Sequence, residues 1–423
     1  MQIINWIDKT QNSSQVKIML ISYRFRIYPS KTVQAKLNEQ LELCRWLYNR
    51  LLSEVNKARK EGRRIRREDT QSLIVRIKRE EKPELSKVYS KVLQMVNYQL
   101  RSNISSLNEL RKKGVKVGWL RYKTSPNSFK TLNFNQSGFK IDFDRKKLSL
   151  SKVGDIPIRL HRSIGGKIKG VIIKRTKSGK WYAIVQAEVD KQPLPPTGRA
   201  IGIDVGITHF CVDSDGNYFE HPKYLDRTLE KIKKVQKQLS RKQKGSKNRE
   251  KVRIGLAKLY EKLENQRNDF LHKLSRYYVN NYDIMVVEDL NVKEMAENGS
   301  STTLNRHITD SAWSKFVRLL CEKAERAART VVKVNPKNTS KRCAMCGYIV
   351  NNLKLHDRTF TCPICGWEAD RDYNASLNIL DVGMGRSRTP VEGEPLPCVI
   401  SYREVIAGQV LSMKQEVPSV RAE

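Results

Sequence analysis

Apolar positions change their period several times along the chain, and each change marks a new element. Tyr23, Phe25 and Ile27 alternate with Arg24 and Arg26, the two-residue period of a half-buried strand that closes at Pro29. Ser30 then caps a helix whose apolar stripe runs through Leu37, Leu41, Cys44, Tyr48, Leu51 and Val55. The basic run from Lys57 to Arg67 reads as a loop or exposed turn. A second helix follows Pro83, with Leu85, Tyr89, Val92, Val96, Leu100, Ile104 and Leu107 on one face, and Gly114 ends it. These helices form a small bundle. Trp46, Tyr48 and Tyr98 are of a type that stacks on bases, but their helical spacing favours a place in the core.

From Trp119 to Asp190 the period becomes alternating. Phe139 to Phe143, Leu148 to Leu150, Ile156 to Leu160, Lys167 to Arg175 and Trp181 to Val189 predict short strands of a barrel-like module rich in Lys and Arg. The strand at Tyr23 to Ile27 is expected to join it, leaving the helical bundle as an insertion. Pro193, Pro195 and Pro196 mark a linker. Beyond it, RAIGIDVGITHFCVDSDGNYFE (199–220) reads as three strands, with a tight turn at Gly206-Ile207 and an Asp215-Gly216 hairpin turn. Asp204 stands alone among apolar neighbours in the first of these strands, where a carboxylate is costly unless it is paired or holds a metal. Asp213 and Asp215 fit turn positions.

A long helical region spans Tyr224 to Asn281 and is broken into a hairpin at Gly245-Ser246; Leu256, Leu259, Leu263, Phe270 and Leu274 mark the packed side of its second arm. Ile284 to Leu290, IMVVEDL, has four apolar residues without alternation, the mark of a strand buried on both faces, and it ends in Glu288 and Asp289. A helix from Leu304 to Arg329 and a strand from Thr330 to Val334 follow. ADRDYNASLNIL (369–380) begins acidic and turns helical, offering a third carboxylate in Asp370 or Asp372. Residues 1–20 read as a disordered leader, without the features of a signal peptide, and 385–423 as a disordered tail.

Composition narrows the function. Lys and Arg number 81 against 44 acids, a formal net charge of +37 over 423 residues, and the excess recurs along the whole chain. Such a charge predicts a polyanionic partner, most simply a nucleic acid. The hairpin tip, with Arg241, Lys242, Lys244 and Lys247, is the clearest stretch of one sign and a candidate phosphate contact. No run of 18 or more apolar residues occurs, so no membrane span is expected and the location is read as cytoplasmic. Cys343-Ala-Met-Cys346 and Cys362-Pro-Ile-Cys365, each followed by glycine, offer four thiolates on two tight turns. That pattern predicts structural zinc and excludes a disulfide framework. His356 and Asp357 fall between the pairs as tip residues; Cys44, Cys211, Cys321 and Cys398 stand alone as packing or surface residues.

Asp204, Glu288 and one of Asp370 or Asp372 come from separate elements of one α/β domain. Such a set suits two magnesium ions about 4 Å apart, the arrangement that hydrolyses phosphodiesters. Hard oxygen ligands favour magnesium or manganese over a catalytic zinc.

At these residues the chain resembles the TnpB family of transposon proteins, relatives of the compact type V CRISPR nucleases. IGIDVGITHF, IMVVEDL and DRDYNASLNIL are similar to the family's three nuclease motifs, and NTSKRCAMCG to its zinc segment. YRFRIYPSKTVQAKL, CRWLYN and GSKNREKVRIGLAKL carry the likeness over most of residues 21–383. The resemblance implies a multidomain α+β protein. Its RNase H-like (RuvC) nuclease domain would cover 199–337 and 369–384, with a zinc finger inserted at 338–368. A β-barrel wedge-like domain would cover 21–29 and 115–192, and a helical recognition domain 30–114. Asp372 precedes Tyr373-Asn374-Ala375 as the family's Asp-x-Asn-Ala motif requires, which favours it over Asp370 and makes Asp204, Glu288 and Asp372 the implied magnesium ligands. The resemblance also implies a guide RNA from the transposon end and a double-stranded DNA target cut beside a short flanking motif. A nuclease-inactive RNA-guided regulator is the alternative; an actin-like ATPase lacks its second glycine-rich loop here, and a non-cleaving zinc transposase leaves the three acidic motifs without a task.

Overall fold

A computed structural model describes residues 18–125, 128–222, 224–290, 312–354 and 357–386. They divide between two compact units, bounded as 1–190 with 243–258 and as 191–242 with 259–423.

The first unit joins an antiparallel sheet to helices. Strand β1, Ile18–Ile27, starts inside the expected leader and is longer than the alternation at Tyr23 to Ile27 indicates. The reason is local: Ile18, Met19, Leu20 and Ile21 are all apolar, so no alternation marks the strand's start, yet Ile18 and Leu20 point outward and are 64% and 60% exposed. Helix α1, Lys31–Lys60, is capped by the Ser30 hydroxyl, which accepts from the Val33 amide at 3.3 Å. Its predicted stripe is buried. Helix α2, Arg67–Arg76, was not legible, since it buries only Thr70, Leu73 and Ile74 of its ten residues. Helix α3, Ser90–Lys112, ends before Gly114, whose φ of 74° lies in the left-handed region that favours glycine. Tyr48 is a core residue, Trp46 lies against the core, and Tyr98 is 45% exposed, so for Tyr98 the expected core position is wrong.

Six further strands complete this sheet: β2 Thr131–Asn135, β3 Phe139–Asp142, β4 Lys147–Leu150, β5 Gly154–Arg159, β6 Lys167–Arg175 and β7 Trp181–Asp190. Only β2 had no counterpart in the sequence reading. The order is β2-β6-β7-β1-β5-β4-β3, a barrel-like sheet in which β1 pairs with β7 along its whole length and with β5 at its end. A strand before the helices and six strands after them thus share one core.

The second unit is built on a mixed sheet. Its strands are β8 Ala200–Val205, β9 His209–Asp213, β10 Tyr218–Glu220, β11 Ile284–Glu288 and β12 Thr330–Val334, in the order β10-β9-β8-β11-β12. The first three are antiparallel neighbours; β11 adds parallel to β8, and β12 parallel to β11. Helix α4, Tyr224–Ser240, and helix α5, Lys247–Asn281, form the predicted hairpin around Gly245, whose φ is 87°. The buried stripe of α5 lies in its C-terminal half, at Leu263, Leu271, Leu274 and Tyr278; Leu256 and Leu259 are only half-buried. Helix α6, Trp313–Arg326, begins after Ala312, whose φ is 56°, and not at Leu304; residues 304–311 of the expected helix lie outside the described set. Ile201, Ile203, Met285 and Val287 face α5 and α6, packing with Leu274, Tyr278, Phe316 and Leu320. Helix α7, Arg371–Gly383, covers the opposite face, where Ile379 meets Val286 and Val334.

The remaining strands, β13 Thr359–Thr361 and β14 Glu368–Asp370, pair antiparallel beside the four cysteines. His356, Cys398 and most of the expected tail lie outside the described residues. No described helix is long and apolar enough to cross a membrane.

Candidate functional site

Strand parity puts two carboxylates on one face. In β8, Ile201 and Ile203 point to the α5–α6 side, so Gly202 and Asp204 point to the α7 side; in β11, Met285 and Val287 point the first way, and Val286 and Glu288 the second. The parallel register pairs Gly202 with Val286 and Ile203 with Val287, and its next step brings Asp204 level with Glu288 at the carboxyl ends of both strands. Ligand crevices of open α/β sheets lie at that end.

The third carboxylate arrives on α7, and two glycines let it come close. A β-carbon at Gly202 would lie 2.7 Å from the Leu380 amide nitrogen and closer still to the Ser376 carbonyl oxygen. A β-carbon at Gly383 would run into the Val286 methyl groups. Asp372, Ser376 and Leu380 follow at four-residue spacing on the sheet-facing side of α7. A β-carbon at Gly206, just past Asp204, would stand 3.8 Å from the Asp372 carboxylate. Asp370 has a different task. It is the N-cap of α7, its Oδ1 accepting from the amides of Asp372 at 2.9 Å and Tyr373 at 3.1 Å.

The electrostatics are those of a set lacking its counter-charge. Burial, then repulsion from Glu288 and Asp372, pushes the Asp204 carboxyl well above the usual range, although part of the residue reaches solvent. Burial also raises Glu288, against a hydrogen bond from Thr339 Oγ1 at 2.5 Å, and raises Asp372, with Asp370 adding repulsion and Arg358, His209 and Arg371 opposing it. The three carboxylates do not converge as tightly as ligands of a single ion: among the described residues only the cysteines form a group with all ligand atoms within 4.8 Å. A cleft of about 310 Å³ opens beside Glu288, walled by Val205, Val287, Trp313, Val317 and Lys333.

Asp213 holds the hairpin turn as expected. It is fully buried, accepts from the Asp215 and Asn217 amides and from Tyr278 Oη, and is pushed up to about 6 by burial.

The four cysteines form two matching knuckles. The Gly347 amide donates to the Cys343 carbonyl and the Gly366 amide to the Cys362 carbonyl, each at 3.0 Å; the Cys343 and Cys362 amides donate to Tyr348 and Trp367, each at 2.8 Å. Gly347 and Gly366 have φ of 79° and 72°, which the turn under each pair requires. Cys343 and Cys365 sulfurs lie 3.6 Å apart, and Cys346 and Cys362 sulfurs 3.5 Å. Four thiolates about 2.3 Å from a tetrahedral zinc would sit at nearly that separation, so the set fits structural zinc.

What the sequence reading missed lies between these two sets. Asn374 Oδ1 accepts from the Ala344 amide at 3.0 Å, and its Nδ2 donates to the Arg342 carbonyl at 2.8 Å. Asn378 Nδ2 donates to the carbonyls of Thr339 at 2.9 Å and Arg342 at 2.6 Å. The only signal was two asparagines inside a helix, where their low propensity implies another task. In the first unit, the run read as a basic loop lines a cavity of about 640 Å³ with Arg59, Arg63, Arg64, Arg66 and Arg67, joined by Arg101 and Trp119. At the hairpin tip, Arg241, Lys242, Lys244 and Lys247 are exposed.

Residues 184–299 match a family described as "Probable transposase", residues 313–379 a Cas12f1-like TNB domain, and residues 19–64 a helix-turn-helix domain. In the structure that last stretch is β1 followed by one 30-residue helix. A candidate RNA-guided DNA endonuclease of Streptomyces pristinaespiralis is 32% identical over 86% of this chain and 90% of its own length. A second such candidate, from Escherichia coli K12, is 28% identical over 89% of the chain and 97% of its length. A Cas12f1 solved in complex with a single guide RNA and target DNA shares the fold with a TM-score of 0.55 and 13% identity, covering 86% of this chain and 98% of that one.

Proposed function

The chain belongs to the TnpB/OrfB family of IS605-type transposons, and from that premise we propose that it is an RNA-guided DNA endonuclease with a three-carboxylate magnesium site on an RNase H-like (RuvC-type) sheet. One observation carries this reading: Asp204 and Glu288 on neighbouring parallel strands and Asp372 on α7 come onto one sheet face, where burial raises all three and repulsion from Glu288 and Asp372 raises Asp204 further. An acidic set held so unfavourably calls for cations, and its oxygen donors suit magnesium. Magnesium, when bound, supplies the charge that activates water and stabilises a leaving 3′ oxygen.

The chain's own residues do the rest. Asp204 and Glu288, level on neighbouring strands, would hold the ions from beneath, and Asp372 from the side. Asp370 keeps the first turn of α7 in place. Structural zinc on Cys343, Cys346, Cys362 and Cys365 fixes the segment that leads into α7. The barrel-like sheet serves as the wedge-like domain and α1 to α3 as the recognition domain. The arginine-lined cavity and the hairpin tip offer cations to the phosphates of a guide RNA from the transposon end and of a double-stranded DNA target.

The test separates the cap from the ligand. Asp372→Ala should abolish magnesium-dependent cutting of guide-matched DNA while guide RNA and target binding persist in a gel-shift assay. Asp370→Ala, which loses a cap worth about 1 kcal/mol, should keep substantial cutting. The reverse pattern would move the ligand to Asp370, and full cutting by both variants would remove the three-carboxylate reading.

A further inference from the structure

Thr339 stands at the entrance of the first cysteine knuckle and is 4% exposed. Its hydroxyl oxygen lies 2.5 Å from Glu288 Oε1 and 3.0 Å from the Pro336 carbonyl. A hydroxyl has one proton to give, and a carboxylate is the stronger and here the nearer acceptor. The bond therefore runs from Thr339 to Glu288 Oε1 and leaves the other carboxylate oxygen free of it. Thr339 is itself held from behind. Asn378, 3% exposed on α7, donates to its carbonyl and to that of Arg342, three residues further on. Asn374, fully buried one turn earlier, donates to the Arg342 carbonyl and accepts from the Ala344 amide. Cys343 lies between the two residues that Asn374 grips.

We propose that Thr339, Asn378 and Asn374 form a positioning strut that joins the cysteine knuckle to Glu288 and sets the orientation of its carboxylate for metal. The proposal rests on the reading of Glu288 as a magnesium ligand and deepens it. The strut has two ends: one is the cysteine knuckle, the other the metal-facing carboxylate, and α7 carries both the asparagines and Asp372. Order in the knuckle is thereby transmitted to Glu288 by a direct hydrogen bond and to Asp372 through the helix that carries it. Partners of this kind typically change metal affinity or activity by about 10–100-fold when removed, because they fix the direction of a ligand oxygen. Thr339, Asn374 and Asn378 are positioning residues; none of them is placed on the reacting atoms.

The experiment uses the full chain purified free of nucleic acid, with Mn²⁺ as the probe, its binding followed by the electron paramagnetic resonance of the free ion. Thr339→Val keeps the side-chain shape and removes the hydroxyl; Thr339→Ser keeps the hydroxyl. Valine should weaken Mn²⁺ binding about tenfold or more, with zinc content and melting temperature unchanged, and serine should restore it. In guide-loaded protein, valine should raise the magnesium concentration needed for half-maximal cutting while the rate at saturating magnesium largely recovers. Asn378→Ala should shift Mn²⁺ binding in the same direction by a smaller factor. Wild-type Mn²⁺ binding by Thr339→Val would overturn the proposal. So would equal losses in valine and serine, or loss of zinc by Thr339→Val, since the hydroxyl would then be holding the knuckle alone. If Glu288→Gln binds Mn²⁺ and cuts as wild type, the underlying reading fails instead, whatever Thr339 does.

Discussion

The four cysteines and the three carboxylates are both candidate metal sets in one unit, yet they are made in opposite ways. Each cysteine pair is closed within a few residues: a glycine of positive φ, an amide returned to the first cysteine's carbonyl, and a second bond outward to Tyr348 or Trp367. Spacing alone dictates that geometry, and the two knuckles repeat it. The carboxylates have no local geometry of their own. Asp204 and Glu288 meet through the register of parallel strands, and Asp372 joins them because Gly202 and Gly383 let a helix settle on the sheet. A set fixed by spacing is robust to its surroundings, whereas a set fixed by tertiary packing depends on residues that never touch metal.

The largest effect should come from breaking the spacing-made set. Cys362→Ser removes one thiolate from a structural zinc site whose binding contributes about 10–16 kcal/mol in small zinc domains. We expect zinc to be lost on metal analysis and residues 338–368 to become protease-sensitive. DNA cutting should fall with them, because Asn374 and Asn378 then lose their partners at Ala344, Arg342 and Thr339. A zinc-free variant that cuts at the normal rate would show that the two sets are independent.

The same contrast governs what could be read from the sequence. The knuckles were complete in Cys343, Cys346, Cys362 and Cys365, because the spacing is the structure. The strands bearing Asp204 and Glu288 were legible as apolar runs each interrupted by an acid, and all strands of the barrel-like sheet but β2 were legible from alternation. Asp370 and Asp372 could be told apart in the sequence chiefly through a family motif; the structure adds that Asp370 caps α7. Thr339, Asn374 and Asn378 could not be read, since an ordinary polar residue shows its task only when the partner's position is known. The start of β1 was lost because both faces of its first residues are apolar. Helix α2 was lost because too few of its residues are buried to make a stripe.

A second substitution probes the packing-made set without touching a carboxylate. Gly202→Ala places a methyl against the Ser376 carbonyl and the Leu380 amide, backbone atoms that cannot swing aside. Overpacking of this kind costs roughly 1–3 kcal/mol, and here the relief is for α7 to lift from β8, taking Asp372 with it. The melting temperature and the cutting rate should both fall while zinc content stays at wild type. Gly255→Ala, in α5 with nothing within 4 Å of the added carbon, serves as the control and should be neutral or mildly stabilising. Equal behaviour of the two alanine variants would mean that α7 is not held where these contacts put it.

The smallest effect is thermodynamic, and it tests whether the carboxylates are held at a cost when metal is withheld. Burial and the charges of Glu288 and Asp372 raise the Asp204 carboxyl in the folded chain well above its unfolded value of about 3.9. Between those two values the folded state binds more protons than the unfolded one, so this group's contribution to stability falls as pH rises through that window. Asp204→Asn removes the ionisable group and keeps the shape. In magnesium-free buffer the variant should therefore melt above wild type at pH 8, and the difference should shrink steadily as pH falls toward about 3.9, below which Asp204 becomes protonated in both states. Comparing variant with wild type at each pH cancels the general effect of a net charge of +37. Magnesium should reverse the order at pH 8 by stabilising only the wild type, since ligand binding to the folded state adds stability and the asparagine offers one anionic ligand fewer. A variant that melts with wild type across the whole range, with and without magnesium, would mean that Asp204 bears no electrostatic strain and that its strand tolerates the charge for some other reason.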